Sequence, residues 1–247
     1  MLAGGGASTH PLAITTMQKP HFVRDYQRLA RDMLRLHERE TALVLSSGGG
    51  GYAHGDAELA MLEALGLAPG HRVVEVGCGA GRLAYALRAV PGVSYLGTDV
   101  VPEHIEFARE RCKGLGWRLE LVDGLTIPEQ SASADFIVFI SVLTHLTRAE
   151  GLAYLLDARR VLKPTGKIVV TFLDPAVISM KLLFAVVGSR LKRLFISGGI
   201  FSTLATKGTM RRLGARAGLV ATFPGDHKLG QNICVFSHHP AQTPTTS

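Results

Sequence analysis

The chain has 247 residues, a length that suits one α/β domain with additions better than two separate domains. Its 47 % hydrophobic content is enough to bury a parallel sheet between helices, which excludes a wholly disordered chain. A formal charge of +7 favours anionic partners without choosing among nucleic acid, a phospholipid surface and a small acid. The cysteines, Cys78, Cys112 and Cys234, have neither the number nor the spacing of a disulfide framework or zinc site, so no metal is expected and a reducing compartment fits best.

Residues 1–19 are dominated by Gly, Ala, Ser and Thr at their start, and 240–247 by Pro and Thr, so both ends are expected to be disordered. Residues 1–17 show no basic region followed by an apolar run. No stretch reaches the roughly 18 apolar residues of a membrane span, and a soluble, cytoplasmic protein is the expectation. After Pro20, Phe22, Tyr26, Leu29, Met33 and Leu36 recur at helical spacing and predict a helix that caps the sheet. Residues 46–51 read as a loop. Asp56 is placed to N-cap a short helix carrying Leu59, Leu62 and Leu65 and ended by Gly66, so 20–66 forms an N-terminal helical cap.

From there short apolar strands alternate with periodic helices, the pattern of βαβ units and a parallel sheet. Strands are predicted at 72–76, 93–98, 118–122, 134–140, 167–173, 219–223 and 232–237, and helices at 81–90, 102–115, 148–162 and 208–217. Thr147 and Glu150 have the spacing of a capping box, and Pro102 suits a first helical turn. Together they predict a single domain over 20–239.

The first strand carries Glu75 near its end and runs into Gly77, Cys78, Gly79 and Gly81 before a helix opens at Arg82. Glycines there let the backbone turn sharply and let a nucleotide-like ligand lie against it. A dinucleotide fingerprint would need a third glycine where this chain has Arg82, which disfavours an NAD enzyme. The second strand ends in Asp99 followed by Val100, roughly 20 residues after the glycine loop, where an acid can accept both ribose hydroxyls.

This series resembles the class I S-adenosylmethionine-dependent methyltransferases: a glycine loop preceded by Glu75, then Asp99, then Asp123-Gly124-Leu125 after the third strand, then the segment from Phe139 to Leu146 around Ser141. The resemblance spans about residues 49–236. It implies a Rossmann-like, mostly parallel sheet in the order 3-2-1-4-5-7-6 with the last strand antiparallel. It also implies S-adenosyl-L-methionine as methyl donor, with Asp123 near the adenine amine and an acidic Glu75 suited to the cationic aminoacyl end.

His145 lies just past the fourth strand and reads either as a general base or as a residue satisfying a local hydrogen bond. Tyr52 and His54 precede the glycine loop in a region that, by resemblance, folds over the methionine end. His54 also reads as a plain loop residue, Cys78 as packing and Asp135 as a turn former. The acceptor is expected to be a small or lipid-like molecule, anionic if the basic charge serves it. Nucleic acid is the alternative, but no base-methylating Pro-Pro-aromatic segment follows the fourth strand. A non-catalytic cofactor-binding protein is a third reading. Residues 174–206 form an unusually apolar insertion with Arg190, Lys192 and Arg193, expected to be a lid, a core helix or, through 177–196, a peripheral membrane contact.

Overall fold

Apolar runs rich in Val, Ile and Phe become the strands of one central sheet. In the computed structural model, which describes residues 19–49, 51–176, 202–227 and 231–239, these strands are β1 (Arg72–Val76), β2 (Ser94–Asp99), β3 (Arg118–Leu121), β4 (Ala134–Phe139), β5 (Leu162–Phe172), β6 (Val220–Thr222), β7 (Asp226–His227) and β8 (Gln231–Ser237). The helices are α1 (His21–Leu36), α2 (Arg39–Ser46), α3 (Gly51–Ala64), α4 (Arg82–Leu87), α5 (Pro102–Arg111), α6 (Arg148–Val161) and α7 (Lys207–Ala217), with a 3-10 turn at Leu143–His145.

The sheet order is β3-β2-β1-β4-β5-β8-β6. The strands from β3 to β5 pair in parallel, and β8 runs antiparallel to both β5 and β6. This is the expected 3-2-1-4-5-7-6 arrangement with one addition: two-residue β7 pairs with Gln231 and Asn232 and continues the β6 edge. Side chains alternate across the sheet with period two. Val73 and Val138 pack with Leu62, Leu83, Leu87 and Ile105 of α3, α4 and α5, while Val74, Val76 and Phe139 pack with Tyr154, Leu155 and Leu213 of α6 and α7. Phe22 and Val23 of α1 join this second face.

Helix boundaries follow local chemistry. The amide of Glu150 donates to Thr147 Oγ1 (3.3 Å) and the amide of Thr147 donates to Glu150 Oε2 (2.8 Å), so the predicted capping box opens α6. Three predictions need correction. The chain from Arg39 to Ser46 forms α2, not read from the sequence because Glu38, its N-cap, supplies no side-chain cap. Helix α3 begins at Gly51, so Asp56 is an exposed residue inside the helix and not its N-cap. Gly55 allows that helix to press on α4: a Cβ there would lie 2.4 Å from the carbonyl oxygen of Arg82. Strand β5 also starts at Leu162, earlier than expected.

The segment 177–201, which holds most of the expected lid with Arg190, Lys192 and Arg193, lies outside the described residues. The chain beyond it is tied to the body: the amide of Thr203 donates to Thr144 O and that of Ala205 to Leu173 O. Among the described residues no helix is long and apolar enough to cross a membrane. Removing the α6 cap tests the local account: Thr147→Ala is expected to lower unfolding stability by about 1 kcal/mol in denaturant titrations. A change within error would show that the cap contributes nothing.

Candidate functional site

The strand order reverses between β1 and β4: from β1 the chain crosses to β2 and β3, then returns to β4 on the other side. Ligands of open α/β sheets lie at such a switch, outside the carboxyl ends of the strands. Here the turn after β1 folds back so that the amides of Gly77 and Cys78 both donate to Thr98 O, at 2.8 and 2.9 Å. Gly77 (φ 74°) and Gly79 (φ 53°) are left-handed. A Cβ on Gly77 would stand 2.6 Å from Val142 Cγ2, and one on Gly79 2.6 Å from Ser47 Cβ. Any side chain there would close the space that the loop leaves.

Asp99, at the end of β2, is buried. Its Oδ2 accepts the amide of Gly79 (2.8 Å), its Oδ1 accepts the amide of Val101 (2.9 Å), and His104 Nδ1 lies 3.4 Å from Oδ1. Burial works against its charge, but His104 and the two amides outweigh it and hold the carboxyl below its usual range. Asp99 is therefore ionised at neutral pH. Each oxygen keeps acceptor capacity for further donors.

Around this acid lies a partly open cavity. Gly77, Gly79, Asp99 and Val100 form part of its lining, with Ile140, Ser141 and Val142 after β4. Phe22 and Tyr26 of α1, Ser46 to Gly48 at the end of α2, and His145, Leu146 and Tyr154 complete the enclosure. Helix α1 is tied to the cavity edge by Gln27 Nε2 donating to Val100 O (2.9 Å), and His21 Nδ1 lies 3.2 Å from Glu150 Oε1. Tyr26 meets His145 edge-to-face with ring centroids 5.5 Å apart. Burial first, then the Asp99 and Asp25 charges, push the Tyr26 phenol far above its ordinary value, so it stays protonated.

Of the residues singled out in the sequence, Gly77, Gly79, Asp99, Val100, Ser141 and His145 share this cavity. Glu75, Cys78, Gly81, Asp123, Gly124 and Leu125 are not in its lining. Gly81 abuts Ala108 of α5, and Cys78 is buried in the core with its thiol pushed well up by burial, as a packing residue should be. Asp123 is exposed and pairs with Lys19 at 3.0 Å. Gly124 O accepts the Tyr154 hydroxyl (2.9 Å), and Leu125 packs on the core. Asp135 accepts from the Arg72 amide and Lys163, a structural role.

Sequence reasoning missed Phe22, Tyr26, Ser46, Ser47, His104 and Tyr154. Phe22 and Tyr26 were visible as an apolar helix face, which gives no hint that its partner is a cavity. Ser141 has φ 58°, a left-handed conformation that costs a non-glycine residue on the order of 1 kcal/mol. Two contacts hold it: its amide donates to Thr171 Oγ1 (2.8 Å), and Gln231 Nε2 donates to its Oγ (2.7 Å). These three residues, with His54 and Arg82, line an adjoining space of about 380 Å³. Burial and Arg82 pull the His54 imidazole below its ordinary value.

Glu75 points away from the cavity, where Tyr95 Oη donates to its Oε2. Beside it, Glu58 is fully buried with Oε1 2.7 Å from Arg82 Nε, a charge contact without hydrogen-bond alignment. Arg82 also donates to Gly49 O at 3.1 Å. Burial is the main reason that Glu58 is pushed up to about 7 and Glu75 to about 8, each relieved in part by Arg82. Both carboxyls bind protons more tightly in the folded than in the unfolded chain. Stability should therefore fall as pH rises from about 4.5 through 8, in contrast to the acid-side loss expected from the lowered Asp99. Thermal melts between pH 5 and 8 check this. The decline should be clearly smaller in Glu75→Gln, and an equal decline would remove Glu75 from the account.

Residues 73–166 match the family model described as "Methyltransferase domain". Over 109 residues, 43 % of each chain, this protein is 38 % identical to the demethylmenaquinone methyltransferase of Tropheryma whipplei (strain Twist). Over 111 residues, 44 % of this chain and 28 % of that one, it is 35 % identical to the cyclopropane-fatty-acyl-phospholipid synthase of Escherichia coli (strain K12). The chain thus spans less than half the length of these relatives. A solved S-adenosylmethionine-dependent methyltransferase from Aquifex aeolicus shares the fold at a TM-score of 0.55 and 20 % identity, over 84 % of this chain and 96 % of that one. With the strand order, the glycine turn and the acid after β2 all in place, residues 73–166 match a methyltransferase domain, and the chain has the fold of a solved S-adenosylmethionine-dependent methyltransferase.

Proposed function

We propose that this protein transfers the methyl group of S-adenosyl-L-methionine to an O, N or C nucleophile of a small or lipid-like acceptor, through one domain over 20–239 whose segment 20–66 closes the outer side of the site. The observation that carries this reading is the ionised, buried Asp99 at the base of a cavity framed by two glycines that tolerate no side chain. Bound there, the cofactor supplies an activated methyl on a sulfonium. Asp99 would accept from the ribose hydroxyls, Gly77 and Gly79 would leave room for the chain of the ligand, and Val100 and Val122 would give an apolar wall. Asp123, exposed beside the β3 end and paired there with Lys19, would hold the adenine amine, and Ser141 would offer polar contact at the β4 end.

Little covalent work falls to the protein. It must align the nucleophile, exclude water and accept a proton. His145 is the group assigned to the proton, because it shares the cavity with Asp99 while its ring is held against Tyr26. The names of two relatives, one for a demethylmenaquinone and one for a fatty-acyl phospholipid, support a lipid-like acceptor for this chain as well.

Calorimetry with S-adenosylmethionine should give saturable binding that Asp99→Ala weakens at least about tenfold, the effect of losing a charged acceptor for two hydroxyls. Equal binding by both proteins, or none by wild type, would sink the assignment. Incubating cell extracts with methyl-labelled cofactor identifies the acceptor by mass spectrometry. On that acceptor, His145→Ala should lower turnover roughly 100-fold with cofactor affinity nearly unchanged. Unaltered turnover would return His145 to a structural role.

A further inference from the structure

The 3-10 turn Leu143–His145 separates the first cavity from a second, partly open one. Val142 and His145 line the first cavity, Leu143 and Thr144 line the second, and Leu146 borders both. The second space lies between the end of β5 and the first turns of α6 and α7. Its apolar walls are Leu143, Leu146, Phe172, Leu173, Met210 and Leu213.

The threonines in this lining make hydrogen bonds within the chain. Thr144 Oγ1 donates to Ser141 O (2.8 Å), and Thr147 Oγ1 accepts the Glu150 amide in the α6 cap. Thr203 Oγ1 reaches Thr144 O (3.3 Å), while Thr209 Oγ1 lies 3.2 Å from Thr206 Oγ1 at the α7 cap. Each of the four hydroxyl oxygens thus has a partner within the chain. The one charged side chain among the lining residues, Arg148, is exposed. A polar guest would surrender its hydrogen bonds to water and find few replacements, whereas a hydrocarbon chain would leave no group unsatisfied.

We propose that this second cavity holds an aliphatic or isoprenoid chain of the methyl acceptor, whose reacting head passes Leu146 into the cofactor cavity. The assignment rests on the methyl-transfer reading for its purpose, but the cavity itself can be tested without any turnover. Gly151 of α6 provides the handle. It lines the cavity, its φ is not left-handed, and a Cβ there would find Leu143 Cγ at 4.0 Å as its one close neighbour. A larger side chain at this position fills the cavity without straining the backbone.

The probes are saturated primary alcohols of six to twelve carbons, displacing a fluorescent anthroyloxy-stearate from the full chain. Wild-type affinity should rise about fourfold for each added methylene until the cavity is full. Gly151→Leu should weaken the dodecanol complex at least tenfold, with S-adenosylmethionine affinity within twofold of wild type. A flat length series in wild type overturns the proposal, and so does a folded Gly151→Leu that binds dodecanol as tightly as wild type. The length series needs no variant, so it decides the matter if Gly151→Leu does not fold. Loss of cofactor binding with the length series intact would strike the methyl-transfer reading alone, and the reverse would strike only the chain cavity.

Discussion

Asp99 is a buried carboxylate, and a buried charge is tolerated only when its surroundings are built around it. Here the surroundings come from three parts of the chain. The glycine turn contributes the amide of Gly79, the start of α5 contributes the amide of Val101 and the ring of His104, and α2 contributes Ser46, whose Oγ lies 2.8 Å from His104 Nε2. One negative charge therefore sets the conformation of the loop after β1, the entry into α5 and the seat of the outer helices. The same charge raises the Tyr26 and Tyr154 phenols after burial itself, so both hydroxyls stay protonated. A neutral residue at 99 would leave two amides without acceptors, and the glycine turn would lose the contact that shapes it.

On the other side of the switch point, order is kept by a different device. Ser141 holds an unfavourable backbone conformation because Thr171 from β5 and Gln231 from β8 grip its amide and hydroxyl. The effect is directional. Immediately after Ser141 the chain enters the 3-10 turn, and the orientation of that turn decides which side chains meet the first cavity and which meet the second. Strain at 141 is thus paired with two hydrogen bonds from the half of the sheet that includes the antiparallel strand. This gives β8 a part in shaping a site that lies mostly over β1, β2 and β4.

The fold was legible wherever the physics is local. Short apolar runs alternating with periodic helices marked the strands, the capping box at Thr147 and Glu150 marked α6, and Gly77, Gly79 and Asp99 marked the turn that forms the site. What escaped was nonlocal or uncapped. Helix α2 has no side-chain cap, and α3 starts on glycines that read as a loop, although Gly55 is there because α4 lies against it. Glu75 was legible as an acid before the glycines, but not its burial against Tyr95 and Glu58, which depends on α3 and β2 arriving from far along the chain. His104 carried no signal of its own. It matters because five residues after Asp99, at the first turn of α5, its ring faces back to the carboxylate.

The acceptor was illegible for a chemical reason as well as a geometric one. In the proposed transfer the sulfonium methyl is already activated, so the reaction would impose few obligatory side chains, and an apolar guest none with a recognisable spacing. The proposed hydrocarbon cavity is written instead in what its polar groups do with one another. Thr144, Thr147, Thr203 and Thr209 look in sequence like a hydrophilic surface, yet each hydroxyl is turned to a cap or a carbonyl of the chain itself. The two cavities differ in this respect. The first keeps an ionised carboxylate with spare acceptor capacity, and in the second Leu143, Leu146, Phe172, Leu173, Met210 and Leu213 form apolar walls while the lining threonines bond within the chain. Leu146 borders both, so a molecule able to occupy them together needs a polar head at one end and a featureless chain at the other.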